Sequence, residues 1–399
     1  MTAADTFSPE VKLLLLAARR VTTPADLTTI TQLLASNLDW RALLMMASRH
    51  RVLALFYATL HREQLLGQLP PDVRDALQER VRAEAGRSLA LSGELVRILR
   101  AFQLADIPAI PCKGPVVALT AYGDISYRSF CDLDVLVPES HVYLAQESLA
   151  ALGYRCRLRL TPSEEIAYYE NECALPFQND RGHIVELHWR LFERNASVHL
   201  PMPEFWQRVS RISLLGMNVA SLSREDLLLY LCVHGAKHLW ERLEWIACVA
   251  EIARGHSSLD WLSTYERARK YRVVRLLNLG LSLSCSLLGL ELPSPVTTRL
   301  AADPAARLLA ARVQRDLFAP ASVESHYQHR AARYLFMMRS RESWADRARI
   351  LFYSAIRPPH PNAHEWVHLP PRLAFLHHVF RPVRLLGTYS LVAWRHYLR

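Results

Sequence analysis

Ser129-Phe130-Cys131-Asp132-Leu133-Asp134-Val135-Leu136-Val137 reads as a short strand whose alternate residues fall into two sets. Asp132 and Asp134 point to one face, and Leu133, Val135 and Val137 to the other. The apolar set calls for a core behind the strand. The acidic set forms a carboxylate pair able to chelate a divalent cation.

The flanking sequence places this strand in a mixed α/β unit. Upstream, Pro108 to Cys112 reads as a strand and Pro115 to Tyr122 as a helix, with Lys113-Gly114-Pro115 at the turn between them. Downstream come a helix from His141 to Leu152 closed by Gly153, a strand from Tyr154 to Leu160, and a short helix near Ser163 to Glu170. A hairpin follows, with arms Cys173 to Gln178 and His183 to Trp189 joined through Asn179-Asp180-Arg181-Gly182. Residues 106–195 therefore read as a small α/β core with a mixed sheet.

Residues 1–105 read as helical. Ser8 caps a helix with Pro9 at its first position, Asp39 precedes another apolar-periodic stretch, and a longer helix runs from Pro71 to about Ala105. Residues 196–399 are again mainly helical, with long runs such as Glu225 to Arg254 and a Pro-rich break at Arg357-Pro358-Pro359-His360-Pro361. The fold class expected is α+β, a small mixed-sheet core flanked by N- and C-terminal helical regions.

Composition bounds the function. The 399 residues are 51% hydrophobic and 22% charged, an ordinary globular balance with room for two or three domains. The run Leu13 to Leu16 is too short for a secretory segment. Leu276 to Leu290 is interrupted by Asn278 and several serines, and reads as a buried helix rather than a membrane span. Seven cysteines without a CxxC pair imply no zinc site and point to reduced thiols in the cytoplasm.

The net charge of +10 is concentrated toward the C-terminus. Between Arg330 and Arg399, twelve arginines face only Glu342, Asp346 and Glu365. Such a stretch suits a polyanionic partner, such as RNA, an acidic peptide or an anionic membrane surface, or simply decorates solvated helices. Lysine is scarce: only Lys12, Lys113, Lys237 and Lys270 occur among 48 basic residues. In a chain that otherwise uses arginine, a lysine marks a place for a compact point charge.

A turn that can hold phosphate, an aspartate pair and a third acid together suggest nucleotidyl transfer. The reaction must neutralise a triphosphate while activating an acceptor hydroxyl, and Mg²⁺ (or Mn²⁺) held by hard carboxylate oxygens does both. If the second hairpin arm lies beside the aspartate strand, Glu186 completes the metal site, with His188 on the same face. Gly114 before Pro115 leaves the N–H groups of a helix start free to meet phosphate oxygens; Lys113 adds charge there, and Arg128 is placed to reach the same anion.

Lys113-Gly114, Tyr127-Arg128, Asp132-Leu133-Asp134-Val135-Leu136-Val137, Leu152-Gly153-Tyr154 and Val185-Glu186-Leu187-His188-Trp189 resemble a bacterial group of nucleotidyltransferase family proteins within the DNA polymerase beta superfamily. The similarity spans roughly Ala90 to Leu317 and implies a polymerase beta-like core. It also implies Asp132, Asp134 and Glu186 as metal ligands, Lys113 as a nucleotide contact, and a nucleoside triphosphate as substrate. Leu228-Leu229-Tyr230-Leu231-Cys232-Val233-His234-Gly235-Ala236-Lys237-His238-Leu239-Trp240 is similar to the group's second motif; His234 and His238 fall one helical turn apart with Lys237 beside them, and read as lining the site, as metal ligands lacking a third partner, or as ordinary helix packing.

Two departures stand out: Glu186 replaces the group's usual aspartate, and Cys248 stands near a position where the group has aspartate. The acceptor is left open among peptide or protein, small molecule and RNA. Two other readings stand beside transfer to such an acceptor: a catalytically weak nucleotide-binding scaffold, and a toxin-like enzyme that modifies tRNA ends.

Overall fold

The computed structural model describes residues 7–196, 198, 200–255, 259–319, 333 and 335–356. The chain opens with four helices, α1 (Pro9–Ala17), α2 (Pro24–Leu34), α3 (Trp40–Arg49) and α4 (Leu53–Arg62), before the long α5 (Pro71–Leu104). Ser8 and Asp39 cap α1 and α3 with their side-chain oxygens, as the sequence suggests, and Thr23 and Asp26 form a capping box on α2.

At 34 residues α5 is about 50 Å long. It serves two cores: Leu77 packs with the N-terminal helices, while Leu91, Leu95, Ile98, Leu99 and Phe102 pack under the sheet.

The sheet is built from β1 (Ile110–Pro111), β2 (Asp132–Leu136), β3 (Arg155–Cys156), β4 (Ala174–Gln178) and β5 (Ile184–His188), in the order β1-β2-β5-β4-β3. β2 and β5 run parallel at its centre, and the other pairs are antiparallel. Between strands lie α6 (Pro115–Tyr122), α7 (Val142–Ala151) and α8 (Pro162–Asn171), the last with a Thr161/Glu164 capping box. One sheet face, carrying Leu133, Val135, Val185 and Leu187, packs on α5 and α7. The other carries the acidic residues.

β3 is much shorter than the expected strand from Tyr154 to Leu160. The cause is Pro176 in β4, whose carbonyl accepts from Arg157 N at 2.9 Å. The same residue should return an N–H to that neighbour, and proline has none, so the ladder stops there.

Beyond β5 come α9 (Met202–Gln207), β6 (Ser210–Leu214), β7 (Met217–Ser221), α10 (Arg224–Lys237), α11 (Leu243–Arg254), α12 (Trp261–Lys270), α13 (Val274–Leu288), α14 (Ser294–Ala301), α15 (Pro304–Leu317) and α16 (Trp344–Ile356). The β6–β7 hairpin was not expected in a region read as helical. It turns through Leu215 and Gly216, both at positive φ, the backbone of a tight two-residue hairpin.

The helical run expected from Glu225 to Arg254 is broken. Leu239 and Trp240 are both left-handed, so the chain folds back and the Trp240 ring fills a slot above Gly235 and Gly280. A Cβ on Gly235 would lie 2.5 Å from that ring, which is why glycine stands there.

α13 is the buried apolar helix expected around Leu276 to Leu290, and no helix among the described residues is long and apolar enough to cross a membrane. All seven cysteines are free. Most of the arginine-rich stretch from Arg330 to Arg399 lies outside the described residues.

Candidate active site

The parallel register pairs Asp134 with Glu186, so their side chains stand side by side on adjacent strands, with His188 one pleat further along β5. Ligating atoms of Asp134, Glu186 and His188 lie within 4.8 Å of one another. Asp132 shares the face but lies outside that group of three.

Asp134 is the centre of the arrangement. Its Oδ1 accepts from Lys113 Nζ at 2.5 Å and from His188 Nε2 at 3.1 Å. Its Oδ2 is equally buried and has no hydrogen-bond partner among the described residues. A buried, charged oxygen without a donor is costly unless something positive meets it.

Both nitrogens of His188 face acceptors, Nε2 toward Asp134 and Glu186 Oε2 (3.4 Å) and Nδ1 toward Arg190 O (3.3 Å). That geometry suits an imidazolium. Burial works against the charge, but hydrogen bonds to Asp134, Cys173 and Glu186 win and raise the histidine's pKa well above its ordinary value. Burial likewise opposes ionisation of Asp134, yet Lys113 and His188 hold it far below the usual carboxylate range. The His188 hydrogen bond lowers Glu186 against its burial, whereas burial and the Asp134 charge push Asp132 up.

This donor set fits a hard divalent cation. Three carboxylates occupy one face, Asp134 offers an unbonded oxygen, and Glu186 keeps 39% of its side chain exposed. His188, as placed, orients the carboxylates rather than offering a lone pair.

The Lys113-Gly114 turn has the geometry expected at the start of α6. Gly114 adopts φ 59° and ψ −126°, a conformation closed to residues with a Cβ. Cys112 N donates to Asp134 O at 2.9 Å and so ties the turn to β2. The Lys113 ammonium rests on Asp134. Arg128 is buried, and its guanidinium pairs with Glu244 of α11 at 2.8 Å. Both lysine and arginine thus have carboxylate partners in this state.

The break after α10 brings its C-terminal turn to the site. Lys113 and Asp134 both influence the protonation of His234, and Lys113 that of Tyr230. His234 and His238 lie with ring centres 4.6 Å apart and both contact Trp245. Burial first, then neighbouring cations including Lys113 and Lys237, keep both imidazoles neutral, His238 being pushed down to about 3. Among the described residues no third ligating group joins them. Lys237 Nζ meets Glu193 Oε1 at 2.5 Å.

Glu193, Glu244 and Trp245 were not singled out in the sequence as partners of Lys237, Arg128 and the histidines. Their one local signal is position in or near the motifs, because the pairings join segments far apart in the chain. Cys248 lies buried on α11, its Sγ 3.5 Å from the Tyr122 hydroxyl, so this departure faces packing between α6 and α11 rather than open solvent.

A family model described as "Uncharacterised nucleotidyltransferase" matches residues 36–289. The chain belongs to this nucleotidyltransferase family. It is an enzyme of the nucleotidyltransferase class, with a mixed sheet and an acidic cluster able to hold a metal ion. The matched span takes in β1 to β5 and both α10 and α11, the elements that frame the cluster. No curated protein matches the chain.

Proposed function

We propose that this nucleotidyltransferase moves a nucleoside monophosphate from an NTP to an acceptor hydroxyl or phosphate in a Mg²⁺-dependent reaction, on a polymerase beta-like core. The observation that carries the reading is the unbonded, buried Oδ2 of Asp134 beside Asp132 and Glu186. Asp132, Asp134 and Glu186 would hold the metal, which when bound neutralises phosphate charge and acidifies the acceptor.

The protein's own residues do the rest. Lys113 and His188 fix one oxygen of Asp134 and so aim the other. Gly114 lets the chain enter α6 with the helix's first N–H groups open to phosphate. Glu186, the accessible acid, takes the proton as the acceptor oxygen bonds to the α-phosphorus and the bond to pyrophosphate breaks. His234 and His238, kept neutral, line the wall without adding charge, and Lys237 is held at the rim by Glu193.

The test is Mg²⁺-dependent release of pyrophosphate from each of the four NTPs in the presence of cell extract. Wild type should release it and Asp134→Asn should not; equal behaviour of the two sinks the reading.

A further inference from the structure

A cavity of 340 Å³ opens at the N-terminal ends of β2 and β5, lined among others by Arg51, Arg87, Phe130, Cys131, Gly182 and His183. Its walls come from the α3–α4 turn, from α5, from the segment just before β2 and from the β4–β5 turn. Cys131 immediately precedes Asp132 and Phe130 packs against Gly114, so the segment before β2 joins the cavity wall to the strand that carries the acidic residues.

Its chemistry is cationic. Arg51 and Arg87 both line it, and no carboxylate among the described residues does. Glu84, one turn back on α5, is electrostatically coupled to both arginines and offsets one of the two charges. Arg51 reaches into the cavity from a left-handed backbone (φ 55°), a position that favours glycine, and its Nη2 lies 3.7 Å from Cys131 Sγ. The Nδ1 of His183 is buried with no hydrogen-bond partner among the described residues. Two guanidinium groups at one cavity match an anionic ligand that bears hydrogen-bonding oxygens.

We propose that this cavity binds the anionic group, carboxylate or phosphate, of the acceptor molecule, gripped by Arg51 and Arg87. The acceptor is then an acidic compound whose nucleophilic oxygen lies beyond its anionic end, toward Asp132. This assignment rests on the nucleotidyl-transfer reading; the occupancy of the cavity does not.

Cys131 reports occupancy directly. Alkylation of the full-length protein by iodoacetamide, followed peptide by peptide in the mass spectrometer, is measured with inorganic phosphate or succinate and no nucleotide. At about 10 mM, at least one of these anions should slow Cys131 modification about threefold or more, consistent with millimolar affinity, while exposed Cys156 on β3 reacts unchanged. Stronger protection by phosphate names a phosphorylated acceptor, and stronger protection by succinate a carboxylate. Arg87→Glu, at an exposed helical position where folding is retained, should abolish protection, as should Arg51→Gln. Absence of protection by both anions, or protection that survives Arg87→Glu, overturns the site.

A second arm follows labelled ATP into lysate fractions. Arg87→Glu should lower transfer about tenfold or more while Mg–ATP affinity stays at the wild-type value; unchanged transfer overturns the acceptor assignment. Asp134→Asn should keep Cys131 protection and lose transfer, so a failure of the carboxylates and a failure of the cavity give different patterns.

Discussion

At the scale of single residues, the site turns on how one carboxylate is held. Asp134 uses Oδ1 for Lys113 and His188 and leaves Oδ2 unbonded, an arrangement that would collapse if either donor left. His188→Gln removes a charged donor shared between Asp134 and Glu186. Losing an orienting partner of this kind typically weakens metal binding about 10- to 100-fold, and Mn²⁺ titration followed by electron paramagnetic resonance should find a loss in that range. An unchanged Mn²⁺ affinity would show that His188 orients nothing. Asp134→Asn keeps the shape and removes the charge, so pyrophosphate release should fall about 10²- to 10⁴-fold, in a protein that still unfolds cooperatively but at a lower thermal transition because Lys113 and His188 lose their buried counter-ion. The acidic face was legible in the sequence because a two-residue period on a strand leaves no choice of side. The partners of Lys113 and Arg128 were not legible. Both cations were expected to face phosphate, and their carboxylate neighbours Asp134 and Glu244 lie 21 and 116 positions further along the chain, where local pattern carries no information.

At the scale of elements, the features that aim the site are two unusual helix ends. α11 starts without a side-chain cap of its own; the N–H of Leu243 donates to Nδ1 of His50 at 3.3 Å, and that of Glu244 to the His50 carbonyl. A residue from the α3–α4 turn thus caps the helix that carries Glu244 and Trp245. Only a neutral imidazole can accept that bond. Burial, then Arg49, push His50 down to about 4 from its ordinary 6.5. The folded state therefore resists protonation while the unfolded chain accepts it, so stability falls as the pH drops from about 6.5 to 4 and this group adds nothing further below 4. The loss should approach about 3 kcal/mol. Urea titrations at pH 7 and pH 4 should show that difference in wild type and a smaller one in His50→Gln, which keeps an acceptor but cannot titrate. Equal pH dependence in the two proteins would count against the cap. At the end of α10, Gly235→Ala would drive a methyl group into the Trp240 ring and should cost about 1–3 kcal/mol in the same denaturation assay. The sequence periodicity over 225–254 hid this break, since a buried helix–turn–helix is apolar throughout and the left-handed residues Leu239 and Trp240 carry no glycine to announce the turn.

At the scale of the molecule, the sequence divides by composition into helical, α/β and helical stretches, but hydrophobic contact follows a different partition. One core joins Leu13, Leu14 and Phe56 of the N-terminal helices to Leu228, Ile246, Leu277 and Leu309 of α10, α11, α13 and α15, and it reaches the sheet through Ile110, Cys112 and Leu136. The second core takes in the sheet, the C-terminal half of α5, α7, the β6–β7 hairpin and Val116 of α6. Order along the chain could not reveal this, because the contacts span more than 200 residues and amphipathic helices do not name their partners. The consequence is that the first four helices act as part of the wall behind the active site. A chain beginning at Pro71 would strip the apolar cover from α11 and α13, and replacing that cover by water costs about 25 cal/mol for each Å² exposed. Such a chain should bind 8-anilinonaphthalene-1-sulfonate strongly, lose its near-ultraviolet circular dichroism and fail to bind Mn²⁺, although every acidic residue of the cluster is still present. If instead it stays monodisperse with native near-ultraviolet dichroism and wild-type Mn²⁺ affinity, the N-terminal helices form an independent unit and the shared core contributes little to holding the site.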